Sequence, residues 1–437
     1  MDELRSMNTA ARRLLWLILA IALISRVIFG LSRPVTITEN TGSDSYWYWV
    51  NAHILLSGAT IAEVDGAVYD VSQLQPPPLY LIFIGAPQFI MSESAAFYAV
   101  LLTQAILSTL TVYMAAELAR RISGRDSAAL ITAALIGLSP AFIIESGQIT
   151  TETLFMTLLT GGLLAYVMAL DQPARRTGFF LLGAVLLGLA TLTRAVLLMF
   201  PLALAGYWVF AQWRRDHWRA VGRALAYFAV YLALVLTWTA YNLIRWDRFV
   251  IAGEGLAAFL YIGATGWDDP HALDQRLLDS GAEQEGTGEF SQNTYTGAAA
   301  NAITADPMGY VGRRFGELAG AFLQPHGTAY FPGEGLRELA VTWARDDRSL
   351  EGLIDVVRGD QFAIKALEYV FHYGTIVLGV IGAWRMRSRW RLILPLIGYI
   401  AYTLLVHLAL LAIPRYLFPT LIVWAALAGG VTFRRRT

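Results

Sequence analysis

The 437-residue chain balances 33 Lys and Arg against 33 Asp and Glu, and only 15% of its residues are charged while 56% are hydrophobic. A soluble protein averages about 25% charged residues, so lipid is the indicated solvent, and the missing basic excess excludes a general nucleic-acid binder. With no cysteine, disulfides, thiolate metal sites and cysteine nucleophiles are excluded as well.

A membrane-crossing helix needs about 20 mainly apolar residues. Arg12 and Arg13 precede an apolar run from Leu14 to Leu31, broken only by Ser25 and Arg26. That run is long for a secretion signal and no small-x-small cleavage site follows, so it predicts a retained first span with a cytoplasmic N-terminus. Further spans are expected at 95–119, 127–144, 151–170, 179–194, 196–212, 224–243, 368–384, 392–412 and 416–433. The segment Pro78–Met91 follows Pro76-Pro77 and is too short to cross, which suits a re-entrant or interfacial piece. Charge supports that reading. If 78–91 does not cross, Arg120, Arg121, Arg125, Arg175, Arg176, Arg214, Arg215, Arg219, Arg385, Arg391 and the Arg434–Arg436 tail all face the cytoplasm, as the positive-inside rule requires.

The expected fold class is therefore all-α and polytopic, with about ten transmembrane helices, both termini inside, and one large outer loop. It divides into a module over 1–244 with a first outer loop at 33–94, the large loop over 245–367, and a C-terminal membrane segment over 368–437. The front of the large loop is acidic, and 306–322 and 351–366 have the spacing of short helices. No internal repeat is evident, which disfavours a transporter built from duplicated halves.

The residues able to carry chemistry sit near the outer ends of the spans. Asp44 opens an aromatic, amphipathic stretch from Ser45 to Ser57, where it serves either as a helix N-cap or as a general base at the water–lipid boundary. Glu145 and Glu152 flank the turn between the third and fourth spans. Glu152 is an ionisable group in an apolar helix entrance, a functional candidate set against a dipole-stabilised helix start. Arg194 and Arg415 lie in short connections on the outer side, so each needs an anionic partner or snorkels to headgroups. Arg245 begins the large loop. His53, His326 and His372 are scattered without metal-ligand spacing, and no nucleotide-binding or nucleophile-elbow motif is present.

Asp44 with its aromatic helix, then Gln75-Pro76-Pro77-Pro78-Leu79-Tyr80, resembles the first luminal loop of GT-C glycosyltransferases. The look-alikes are the protein O-mannosyltransferase group (glycosyltransferase family 39) and the bacterial aminoarabinose–lipid A transferases. Thr151-Glu152-Thr153-Leu154-Phe155, Gly188 through Arg194, Tyr241 through Arg245 leading to Gly253-Glu254-Gly255, and Arg415-Tyr416 are similar too, in the family's order. The paired Asp-Glu of eukaryotic protein mannosyltransferases is missing, since Ser45 follows Asp44.

The resemblance implies an inverting transfer from a polyprenyl-phosphate sugar to a hydroxyl of a lipid, glycan or protein, on the extracytoplasmic face of a plasma (inner) membrane. Asp44 and Glu152 would be catalytic. Arg194, Arg415 and Arg245 would hold the donor phosphate, with Tyr46, Tyr80 and Tyr416 positioning substrate. A divalent cation shared by Asp44 and Glu152 stays open. So do two other functions: an oligosaccharide ligase or polymerase using a lipid diphosphate, and a transporter of a polar lipid.

Overall fold

Where lipid replaces water, every backbone polar group must close its hydrogen bond within the protein, and apolar runs do so as helices. Helices accordingly dominate the computed structural model, which describes residues 7–35, 37, 43–58, 61–64, 67–70, 76–172, 176–253, 255–266, 270–279, 281, 290–331, 334–359 and 361–433. Gln75, Arg175, Glu254, Asp268, Asp269 and the Arg434–Arg436 tail lie outside these residues.

In chain order the helices are α1 (Thr9–Leu31), α2 (Asp44–Ser57), α3 (Pro78–Gln88), α4 (Glu93–Ser123), α5 (Asp126–Gly137), α6 (Pro140–Ser146), α7 (Glu152–Asp171), α8 (Arg176–Thr191) and the long run α9 (Phe200–Trp246). Six shorter ones follow before the C-terminal spans: α10 (Leu256–Thr265), α11 (Pro270–Asp279), α12 (Gln292–Ala305), α13 (Pro307–Leu323), α14 (Leu336–Thr342) and α15 (Leu350–Arg358). The chain ends with α16 (Phe362–Arg385), α17 (Trp390–Ala409), α18 (Pro414–Leu417) and α19 (Thr420–Ala428). Two strands, β1 (Ile61–Val64) and β2 (Ala67–Asp70), form an antiparallel pair that the sequence reading did not anticipate. The signal was available: Asp65-Gly66 between them is a pair favoured in two-residue hairpins.

Among the described residues seven helices are long and apolar enough to span a membrane, and the bent pair α5–α6 makes an eighth. The shorter apolar helices at Arg176–Thr191 and Thr420–Thr432 occupy the two remaining positions expected of spans. The chain is a multi-pass membrane protein. At 11 residues, α3 is about 17 Å long, well short of a bilayer core of about 30 Å. It packs instead against α2 and α4.

Three local devices shape the bundle. The first is a 60° bend between α5 and α6, within the span expected at 127–144. Ser139-Pro140 cannot continue the hydrogen-bond ladder, and the freed carbonyls of Ile136 and Gly137 accept from the Arg26 guanidinium at 3.2 and 3.0 Å. Arg26 is thus fully buried, with Ser108 accepting from its Nε at 2.8 Å, and does not snorkel outward. The second device is a reversal within the α9 run. Trp208 and Tyr227 both stack on Phe180, at 4.0 and 4.5 Å, although 19 residues of straight helix would hold them about 28 Å apart. The run therefore doubles back as two spans, Ala195–Arg214 and His217–Trp246. The third is close helix contact: a Cβ at Gly382 would lie 1.9 Å from the Leu427 carbonyl oxygen, so only glycine lets the last apolar helix approach α16 this closely.

Candidate active site

The start of α2 brings the first acidic group. Ser43 is its N-cap, its Oγ accepting from the Tyr46 amide at 3.2 Å, so Asp44 is not the cap that its position suggested. The Asp44 side chain is left to point away from its own helix, and it meets Arg415 Nη1. Arg415 arrives on α18, directly after the break at Leu410–Ile413, where Pro414 restarts the helix. Glu152 opens α7 with no exposed surface and takes Arg415 from two sides, through Nε and, at 3.0 Å, through Nη2. Arg194, held between α8 and the next short turn, closes on the same carboxylate through Nη1.

Four residues from four distant parts of the chain thus form one ion cluster. Its formal charge sums to zero, and its burial is graded. Glu152 is fully enclosed, Arg194 and Arg415 keep 13% and 20% of their side chains exposed, and Asp44 keeps 60%. The enclosed Glu152 charge is tolerated because both guanidinium groups pair with it.

Aromatic rings wall the cluster. The Arg194 guanidinium lies over Tyr416 at 5.3 Å and Phe155 at 5.7 Å, geometry in which a ring face stabilises a cation. Tyr416 stacks in turn on His407 at 5.2 Å. Tyr48, one helical turn beyond Asp44, feels all four charges, and burial pushes its hydroxyl up to about 12. Its ring meets Tyr80 edge-on at 5.4 Å, while the Tyr80 hydroxyl donates to Gln104 Oε1 at 3.1 Å. Tyr46 packs in an apolar cluster with Val50, Ile54, Leu192 and Trp238.

Arg245 is not brought to this place. It donates to the Gly58 carbonyl at 2.8 Å, at the far end of α2, about 21 Å of helix from Asp44. Tyr48 is the opposite case, present at the cluster but absent from the sequence-derived set. Its signal is the four-residue spacing from Asp44 on one helix face.

A second polar knot lies beside the first. Glu145 is fully buried and accepts from Thr150 Oγ1, from His326 Nε2 at 2.7 Å and from the Tyr330 hydroxyl at 2.9 Å. Burial raises the Tyr330 hydroxyl, with the Glu145 charge acting in the same direction. His326 also packs on Phe418 at 4.9 Å, three residues after Arg415. One imidazole from the large 245–367 loop therefore touches both Glu145 on α6 and Phe418, the residue that caps α18. No local pattern joins His326 to Glu145, because 181 residues separate them.

Among the described residues no three His, Asp or Glu side chains gather as a metal site, and Arg415 stands between Asp44 and Glu152 with a bond to each.

Residues 75–241 match the family model of dolichyl-phosphate-mannose-protein mannosyltransferase. No curated protein matches the sequence. Among solved structures, ArnT from Cupriavidus metallidurans bound to undecaprenyl phosphate is similar over 95% of this chain and 77% of that one, at 14% identity and a TM-score of 0.44. The same protein in its apo state gives 16% identity, 97% and 78% coverage, and a TM-score of 0.42. The Archaeoglobus fulgidus oligosaccharyltransferase in complex with Zn and sulfate is 17% identical, with a TM-score of 0.41. The similarity covers 94% of this chain and 53% of that one, so the chain spans about half that protein's length. In residues 75–241 the chain thus resembles a membrane glycosyltransferase of the GT-C superfamily.

Proposed function

We propose that the chain is an inverting glycosyltransferase that moves a sugar from a polyprenyl-phosphate donor to a hydroxyl acceptor on the extracytoplasmic face. The observation that carries this reading is the graded ion cluster. Two arginines and a buried carboxylate form its floor, and one carboxylate, Asp44, is open to solvent where an acceptor would arrive.

The chemistry assigns each group a task. Asp44 takes the proton of the acceptor hydroxyl as that oxygen bonds to the anomeric carbon from the side opposite the phosphate. The bond from the anomeric carbon to the phosphate oxygen breaks, and its electron pair leaves with the phosphate, inverting the centre. Arg415 and Arg194 stabilise the charge growing on that phosphate. Glu152 fixes both guanidinium groups and takes no proton. The apolar helices supply the surface along which the prenyl chain lies.

The test compares purified wild type with Asp44→Asn in transfer from synthetic polyprenyl-phosphate sugars. The variant should lose about 10²–10⁴-fold in kcat, the usual contribution of a general base, while still binding the lipid phosphate. Transfer at the wild-type rate would remove Asp44 from its role. Arg415→Ala should weaken lipid-phosphate binding, and an unchanged affinity would remove the arginine from the donor site.

A further inference from the structure

Resting on the glycosyltransferase reading, a problem of charge remains in the ion cluster. Arg415 spends Nε and Nη2 on Glu152 and Nη1 on Asp44, and Arg194 spends Nη1 on Glu152. Two positive and two negative groups cancel, so the cluster as it stands offers an incoming anion no net attraction. One carboxylate has to yield. The structure distinguishes them: Glu152 has no exposed side-chain surface and is held by two arginines, whereas Asp44 is 60% exposed and held by one nitrogen of one arginine. Releasing Asp44 returns it to water at little cost, because exposed ion pairs contribute little. Releasing Glu152 would strand a buried charge.

We propose that the donor phosphate and Asp44 are alternative partners of Arg415 Nη1, so that donor binding itself frees the base. The exchange is even in charge. A polyprenyl-phosphate sugar is a phosphodiester with one negative charge, and it replaces one carboxylate charge on the guanidinium. Transfer then carries the acceptor proton to Asp44, which becomes neutral, and converts the phosphodiester into a monoester that gains the second negative charge. The neutral acid no longer competes for Arg415 while the product phosphate remains. Loss of that proton to water restores the carboxylate, which returns to Arg415 and helps expel the spent lipid. Before the donor arrives the base is held on Arg415, so the site does not activate a hydroxyl with no sugar to receive it.

The experiment measures undecaprenyl phosphate binding to the full chain in a phosphate-free detergent, with inorganic phosphate as a parallel arm. The proteins are wild type, Asp44→Ala, Arg415→Ala and the double variant. Removing Asp44 should tighten undecaprenyl phosphate binding by about two- to fivefold, the scale of one partly exposed ion pair, and the gain should vanish in the Arg415→Ala background. A gain of equal size in both backgrounds would overturn the exchange, because Asp44 would then act only as a distant negative charge. No gain in either, or a gain for inorganic phosphate alone, would overturn it too. Failure of the underlying reading looks different: Arg415→Ala would bind undecaprenyl phosphate as wild type does. A tighter complex cannot arise from misfolding, so loss of structure does not imitate the expected result.

Discussion

Glu152 is the side chain whose removal the cluster tolerates least. It alone satisfies Arg194 among the carboxylates at this site, and it takes Arg415 through two nitrogens. Glu152→Ala should destabilise the protein by about 3–5 kcal/mol, the range for breaking one partner out of a buried ion pair. Asp44→Ala should cost less than about 1 kcal/mol, as exposed pairs do. Unfolding of both variants in detergent checks the contrast, and equal losses would contradict the burial gradient. Asp44 was legible in the sequence because it opens an aromatic, amphipathic stretch at the water–lipid boundary. Glu152, Arg194 and Arg415 were legible because an ionisable residue inside or beside an apolar run is costly and needs a partner. Arg245 met the same criterion yet reached the Gly58 carbonyl, because sequence position gives the side of the membrane but not the distance along it. The pairing of His326 with Glu145 was not legible because the two are remote in sequence.

At the scale of the elements, Arg26 shows how an apparent blemish in an apolar run becomes a joint. Its guanidinium replaces the hydrogen bonds that α5 loses at the bend, with Ala22, Ile136 and Gly137 carbonyls all accepting from it. Arg26→Leu should leave the Ile136 and Gly137 carbonyls unsatisfied, at about 1–3 kcal/mol each. A matching fall in unfolding free energy would bear this out; wild-type stability would show that the bend holds without the arginine. The sequence placed a span here but not its break, although Ser139-Pro140 carried that information, since proline limits the helix from within. The helices expected at 306–322 and 351–366 correspond to α13 and to α15 with the start of α16. They were legible because apolar residues at three- and four-residue spacing need little tertiary context to be read.

For the whole molecule, the decisive question is which end of the bundle faces out. α4 ends at Gly124 just after Arg120 and Arg121, and α7 ends at Gln172. The positive-inside rule predicts that both ends lie in the cytoplasm, with the ion cluster at the opposite end of α7. Reporter fusions at Gly124 and at Gln172 should both give a cytoplasmic signal. An outside signal at either would reverse the bundle and place the cluster on the cytoplasmic face.

The order of the cluster along the chain also bears on how the protein is made. Glu152 and Arg194 enter the membrane early, and Arg415 emerges 221 residues after Arg194. At about 5–20 residues per second that interval is on the order of 10–40 s. Through it, Glu152 and Arg194 form a neutral couple, while Asp44 waits at the surface where water solvates it. When the spans around it insert, Arg415 brings the balancing charge for Asp44. The Glu152–Arg194 couple is thus complete well before Arg415 is made, and the four-residue cluster closes only once the later spans follow.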